Sequence, residues 1–107
     1  MLAVVADLML ASRVEGSLRA AGHEVEVQAA MPGEVSAEAL VCDLDCVDPE
    51  AAAATGIPAL GFYSHVDVET RDRASAAGVS MVVPRSRMAR ELPVLVERLL
   101  GGGSPDA

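Results

Sequence analysis

Short apolar runs rich in β-branched residues alternate with alanine-rich stretches along most of this chain. The runs are LAVVA, EVEVQ, ALVC, IPALGFY and VSMVV, at residues 2–6, 24–28, 39–42, 57–63 and 79–83. Strands that alternate with helical segments are typical of βα units, which close a parallel sheet. We therefore predict an α/β fold of the flavodoxin-like type, a doubly wound five-stranded parallel sheet in a three-layer sandwich, with about five helices. EVEVQ alternates apolar and polar residues, which favours a strand at or near the sheet edge.

The segments between the runs predict helices. In the first, Leu10, Val14 and Leu18 recur every four residues, and Gly22 follows where a helix often ends on a left-handed residue. A short helix with a proline near its start is expected at DPEAAAATG, residues 48–56. In contrast, residues 29–38 contain Met-Pro-Gly and allow at most a short turn.

Two further helices are expected in the second half of the chain. One would be capped by Asp67 and closed by Gly78. The last carries an apolar face, in which Pro93 is tolerable only if it lies in the first turn. The 107 residues then form one domain, 1–100, with a flexible tail at 101–107.

Charge and aromatic content exclude several functions. Eight arginines are the only basic residues besides two histidines, against 16 acidic residues, which gives a formal net charge of −8. Such a surface repels phosphate backbones and anionic membranes. With one Tyr, one Phe and no Trp, the chain has almost no platform on which nucleic-acid bases could stack.

The cysteines and the amino-terminal run indicate a cytoplasmic location. Cys42 and Cys46 fit neither a redox CxxC pair nor a zinc ligand set, so we expect two ordinary thiols in a reducing compartment. The run MLAVVADLML lacks a basic leader and contains Asp7, which argues against a signal peptide. No apolar run is long enough to span a bilayer.

Polar side chains follow the predicted strands at one end. In a doubly wound sheet, ligands bind at the carboxyl ends of the strands, so the residues just after each strand decide the function. Here these residues are Asp7, Asp43, Tyr63 with Ser64, and Arg85. The hydroxyls of Tyr63 and Ser64 are expected to face Asp43.

This arrangement resembles the receiver domain of bacterial response regulators over nearly the whole chain. In that family an acidic pair ends the first strand, a phosphoacceptor Asp the third, a Thr or Ser the fourth, and Lys-Pro the fifth. ALVCD places Asp43 at the phosphoacceptor position, and the ungapped match over residues 58–86 places Tyr63 at the switch hydroxyl and Arg85 at the lysine. A one-residue gap would place Ser64 at the switch position instead. The resemblance implies weak Mg²⁺ binding by the carboxylates of Asp7 and Asp43, with a backbone carbonyl at Asp45 facing the metal.

Several positions depart from the family pattern. In LAVVAD, Ala6 replaces the first acid, and Ser86 replaces the proline after the lysine position. The planar fork of an arginine does not reproduce a compact lysine ammonium. We therefore predict a pseudo-receiver, a non-enzymatic signalling or protein-interaction module. The alternative is a phosphorylatable receiver with Asp43 as phosphoacceptor.

The resemblance also implies an interaction surface at residues 68–100, for a protein partner or a second copy. Arg71, Arg87 and Arg90 lie on it, although arginines on such a face are more often simply solvated. For Arg85 we weigh anion binding against a salt bridge to Asp43, and favour the salt bridge.

Each remaining polar position has a structural interpretation beside the functional one. Asp7 could cap the first helix, and Asp43 could close the turn after its strand. The acidic run DLDCVD lacks the glycine and the distal Glu of a calcium loop. His23 is expected to be exposed.

The stretch GFYSHVD suggests one further alternative, a small hydrolase that uses Ser64 and His65. Neighbouring side chains of an extended strand point to opposite faces, so these two residues could meet only across a sharp turn. The chain also lacks a G-x-S-x-G elbow. This alternative is therefore remote.

Overall fold

A computed structural model describes residues 1–64 and 68–101 of the chain. The strands are β1 Leu2–Val4, β2 Glu26–Gln28, β3 Leu40–Asp43, β4 Ala59–Tyr63 and β5 Met81–Pro84. The helices are α1 Leu8–Ala20, α2 Pro49–Ala54, α3 Val68–Ala77 and α4 Arg85–Leu100. All five predicted strands are present, each within about two residues of its predicted bounds.

The strands form one parallel sheet in the order β2-β1-β3-β4-β5. Strand β2 lies at an edge, as its alternating pattern predicts. One apolar core joins the sheet to α1 and α4, and a second joins the opposite face to α2 and α3. Because successive side chains of a strand point to opposite faces, neighbours such as Val41 and Cys42 enter different cores. The predicted doubly wound α/β sandwich is confirmed.

Helix α1 has the ends that the sequence predicts. The side chain of Asp7 accepts a hydrogen bond from the amide of Leu10 at 3.0 Å and so caps the first turn. After the helix, Gly22 has φ 94°, a left-handed conformation that a side chain would strain. The capping interpretation of Asp7 is therefore confirmed, and Asp7 lies beside the carboxyl end of β1.

The described residues contain four α-helices, so the expectation of about five was wrong. Between β2 and β3 the chain forms only bends, because the Met-Pro-Gly sequence interrupts any helical run. Met31 and Val35 from this segment pack against the second core instead. Helix α2 has just six residues. None of the described helices is long and apolar enough to cross a membrane.

Helix α4 corrects the prediction for Pro93. The helix begins at Arg85, directly after β5, so Pro93 lies in its interior rather than in its first turn. A proline there removes one backbone hydrogen bond. Burial of Met88 and Leu92 before the proline and of Leu95 after it ties both halves of the helix to the same core, which outweighs that loss.

Candidate functional site

The carboxyl ends of four strands bring the predicted site residues to one edge of the sheet. Val4 of β1 pairs with Cys42 of β3, Asp43 of β3 pairs with Phe62 of β4, and Tyr63 pairs with Pro84 of β5. The residues that immediately follow these pairs are therefore neighbours. Asp43, Ser64 and Arg85 therefore lie at one edge of the sheet, called the strand-end site, and Asp7 follows β1 at the same edge.

Asp43 is the buried acid of this site. Its relative exposure is 8%, and it is the one charged residue that is buried among those described. Its Oδ1 accepts a hydrogen bond from the amide of Asp45 at 2.9 Å. Its main-chain oxygen accepts from the amides of Cys46 at 3.1 Å and Val47 at 2.9 Å. Asp43 therefore closes the turn after β3, the structural role that the sequence left open.

The surroundings of Asp43 raise its pKa. Burial has the largest effect, and the negative charges of Asp45 and Asp7 act in the same direction. The hydrogen bond from the Asp45 amide and the positive charge of Arg85 oppose the shift without cancelling it. Ionisation of Asp43 therefore costs free energy in the folded chain, since little water and few hydrogen-bond donors stabilise the charge.

The predicted salt bridge between Arg85 and Asp43 is wrong. No nitrogen of Arg85 lies within 4.0 Å of a carboxylate oxygen among the described residues. Asp43 takes its hydrogen bond from its own turn instead, and Arg85 influences it only through space. The partly buried guanidinium of Arg85 also makes no hydrogen bond to a described residue, so it is a free cation at the edge of the site.

The side chains of the three predicted metal-site residues form no cluster of three ligands in the described part of the chain. No group of three carboxylate, imidazole or thiolate side chains there has a metal-binding arrangement. The carboxylate of Asp7 faces the helix amides, one oxygen of Asp43 is occupied by the Asp45 amide, and Asp45 is exposed. The structure therefore brings Asp7 and Asp43 near each other and leaves the Asp45 side chain in solvent.

The two switch-position residues differ in environment. Tyr63 is 6% exposed, whereas Ser64 is exposed to solvent. Neither hydroxyl forms a hydrogen bond with Asp43 among the described residues. His65 and Asp67 lie outside the described residues, so the predicted cap of α3 and any contact between Ser64 and His65 lie outside them too.

The arginines of the predicted interaction surface pair with acids on their own helices. Arg71 lies 3.5 Å from Asp72, and Arg87 lies 3.4 Å from Glu91 in an i,i+4 pair. Arg90 contacts Glu91 at 4.0 Å. All three are well exposed, and exposed pairs contribute little to stability. Their charges thus remain available to solvent.

Sequence reasoning missed a close approach beneath the site. A Cβ on Gly61 of β4 would lie 2.8 Å from Cδ1 and 2.9 Å from Cγ of Leu44, the residue after Asp43. Only glycine leaves room there for the buried Leu44 side chain, which shapes the turn that holds Asp43. A glycine inside an apolar strand was the available signal.

His23 also differs from expectation. It is partly buried rather than exposed, and its Nε2 is buried without a hydrogen-bond partner. It lies at the opposite end of the sheet, where its charge lowers the pKa of Glu38 less strongly than the backbone hydrogen bond and the terminal amine do. It has no part in the strand-end site.

Receiver domains are among the solved structures that share this fold. A CheY-like response regulator receiver domain protein from Methanospirillum hungatei JF-1 matches with a TM-score of 0.80 at 16% identity, over 99% of this chain and 96% of that one. The ChxR receiver domain from Chlamydia trachomatis matches with a TM-score of 0.73 at 18% identity, over 94% of each chain. No protein-family model and no curated protein matches the sequence. The predicted resemblance to receiver domains is confirmed at the level of the fold.

Proposed function

We propose that this chain is a receiver-like signalling module that acts through binding and does not undergo efficient phosphoryl transfer. The observation that carries the proposal is the state of Asp43. Its carboxylate is buried, is held by the Asp45 amide, and lies beside a cation that does not contact it. The carboxylate at the phosphoacceptor position thus helps to hold the turn that follows β3.

Phosphoryl transfer requires positive charge placed against the incoming group. A metal ion and a positioned cation normally neutralise the developing negative charge. At this site the described carboxylates are not grouped for a metal, and the cation is the broad guanidinium of Arg85. These features favour a pseudo-receiver over the phosphorylatable alternative.

The partner would bind the face formed by residues 68–100. Six of the eight arginines lie between residues 56 and 107, and Arg87 and Arg90 keep their charges in solvent. An acidic protein surface complements such a face. We expect residues 1–100 to act as the domain, with 101–107 as a tail.

The test is an amide NMR titration of the ¹⁵N-labelled chain. Mg²⁺ is added first and then beryllofluoride, a mimic of the phosphoryl group. We expect no saturable shift at Asp43 or Arg85, because the one cation beside Asp43 is a broad guanidinium that does not contact it and is not placed to hold the mimic. Asp43→Asn is the matched control, since its amide oxygen can still accept the hydrogen bond from Asp45.

Phosphorylation would overturn the proposal. If incubation with acetyl phosphate and Mg²⁺ adds a stable phosphoryl group to the wild-type chain and none to Asp43→Asn, the phosphorylatable alternative is correct. Intact mass spectrometry at neutral pH distinguishes the two outcomes.

A further inference from the structure

The outer edge of β2 presents backbone groups that no described residue binds. Toward β1, the amide of Glu26 donates to the carbonyl oxygen of Met1 at 2.9 Å, and the carbonyl oxygen of Gln28 accepts from the amide of Val5 at 3.0 Å. Because the backbone groups of successive strand residues point in opposite directions, the N–H and C=O of Val27 point away from the sheet. Neither group forms a hydrogen bond with a described residue. An edge of this kind is a template for a further strand.

One part of this edge is already covered. Nη2 of Arg19 donates to the carbonyl oxygen of Val25 at 3.2 Å, and Arg19 also lies 3.0 Å from Glu15. Val27 lies two residues further along, and no described side chain binds its carbonyl oxygen in this way. The open part of the edge is therefore centred on Val27. Because β2 has only three residues, a strand added there would depend on side-chain contacts as well as on backbone hydrogen bonds.

The side chains of β2 differ between the two faces of the sheet. Val27 packs against the core that α1 and α4 share, whereas Glu26 pairs in register with Leu2 and lies on the opposite face. On that face a groove of about 340 Å³ has Glu24, Glu26 and Glu34 in its lining. All three glutamates are exposed. An added strand would therefore meet carboxylates on one face and a valine on the other.

The charge around this edge is negative. Between Arg19 and Arg71 the sequence contains ten acidic residues and no Lys or Arg. None of the three groove glutamates forms a salt bridge in the described part of the chain. Opposite charges on neighbouring strands stabilise the pair, and like charges directly opposite each other destabilise it. The complementary strand therefore carries Lys or Arg at alternate positions, with apolar residues between them.

A second copy of the chain would fit this edge poorly. Two antiparallel β2 strands related by a two-fold axis would form a continuous sheet. In that sheet the glutamates of both copies would lie on the same face, close to one another, where they repel. A different molecule with the opposite charge complements the edge better.

We propose that the outer edge of β2 binds an extended segment of a partner protein in which Lys or Arg alternates with apolar residues. The backbone of that segment would bond to the N–H and C=O of Val27 and continue the sheet. Its basic side chains would reach the glutamates of the groove, and its apolar side chains would cover Val27. This edge is separate from the strand-end site and from residues 68–100, so the inference goes beyond the function proposed above.

Two synthetic peptides of equal composition test the proposal. In one, Lys and Val alternate over about nine residues, and in the other the lysines and valines form two separate blocks. We expect the alternating peptide to bind about tenfold more tightly, because only it presents all its charges on one face of a strand. Hydrogen exchange of the Val27 amide should slow on binding. Equal binding of the two peptides, or unchanged exchange at Val27, overturns the proposal.

Two N-methylated forms of the alternating peptide test the backbone hydrogen bonds. One form carries methyl groups on the amides of its valines, and the other carries them on the amides of its lysines. Amides of only one of these sets face β2, whichever way the peptide runs. Methylation of that set should abolish binding, and methylation of the other set should not. Equal effects of the two methylations overturn strand addition.

Two variants of the chain localise the binding. Val27→Pro removes the outward N–H without breaking a hydrogen bond of the sheet, so we expect a similar Tm and loss of peptide binding. Glu26→Lys should weaken binding of the alternating peptide about tenfold. Glu97→Lys, at an exposed position of α4, is the matched control and should not weaken it. Unchanged binding in Glu26→Lys, or in a folded Val27→Pro, contradicts the site.

Sedimentation of the wild-type chain tests the other occupant. We expect no dimer that depends on the β2 edge. A concentration-dependent dimer that Val27→Pro abolishes would show that a second copy binds this edge, which overturns the proposed partner. None of these readouts depends on the response of Asp43 to beryllofluoride, so this proposal and the proposed function fail separately.

Discussion

The positive charge of Arg85 partly opposes the rise in the pKa of Asp43, although the two side chains form no salt bridge. Asp43 ends β3 and Arg85 follows β5, with β4 between these two strands. The hydrogen bond to the Asp43 carboxylate comes from the Asp45 amide. The positive charge of Arg85 therefore favours the ionised form of Asp43 without a direct contact between the two side chains. The structure thus shows a through-space interaction between these two residues in place of a salt bridge.

Replacing Arg85 with alanine should raise the pKa of Asp43. A nearby positive charge favours the ionised carboxylate, so its removal leaves burial and the charges of Asp45 and Asp7 less opposed. The measurement is an NMR titration of the Asp43 carboxyl carbon. Arg98→Ala, in the last turn of α4, is the matched control and should leave that titration unchanged. An unaltered Asp43 titration in Arg85→Ala would contradict the through-space interaction.

Asp43→Asn should stabilise the fold at neutral pH. Because the folded state raises the pKa of Asp43, it binds the proton more tightly than the unfolded chain does. This tighter proton binding stabilises the wild type fully below about pH 4, the ordinary aspartate pKa. The stabilisation is lost as the pH rises through the raised pKa of the folded state. Asparagine keeps an acceptor for the Asp45 amide and carries no charge.

Urea unfolding at two pH values measures this effect. We expect the free energy of unfolding of Asp43→Asn to exceed that of the wild type at pH 7, and to differ little from it at acidic pH, where Asp43 is protonated. Glu97→Gln, at an exposed position of α4, should show no such pH-dependent gain. A destabilised Asp43→Asn at pH 7 would mean that the ionised carboxylate is itself required for the turn.

Gly61→Ala should destabilise the fold by about 1–3 kcal/mol, because the new methyl group would overlap the buried side chain of Leu44. In a Leu44→Ala background the same change should cost far less, since the obstructing atoms are gone. Urea unfolding of the double-mutant cycle gives this coupling. Gly33→Ala, where a Cβ has open space, is the control and should be nearly neutral. Additive effects of the two substitutions would exclude the steric explanation.

The two cysteines should react very differently. Burial raises the pKa of Cys42 to about 12, so its thiol is both inaccessible and protonated at neutral pH. Cys46 is exposed, although partial burial and the charges of Asp43 and Asp45 raise its pKa as well. We expect a thiol reagent to label one cysteine of the native chain, slowly, and both after unfolding. The variant Cys46→Ser should show no native labelling, and rapid labelling of Cys42 would contradict its burial.

Local patterns predicted the fold because they are set by neighbouring residues. Alternation along residues 24–28 indicated an edge strand, and the four-residue spacing of Leu10, Val14 and Leu18 indicated the buried face of α1. Asp7 was recognisable as a cap, since that bond spans three residues. The position of Pro93 was not predictable, because burial on both sides of it, rather than local propensity, extends α4 back to Arg85.

By itself, the sequence determined that Asp7, Asp43, Ser64 and Arg85 meet at one edge of a parallel sheet, since every strand of a doubly wound fold ends there. Only the tertiary structure decided how they interact. Whether Arg85 reaches Asp43, and whether Gly61 leaves space for Leu44, depends on distances of a few ångströms between separate strands. Periodicity carries no information at that scale, because such distances follow from how the whole core packs.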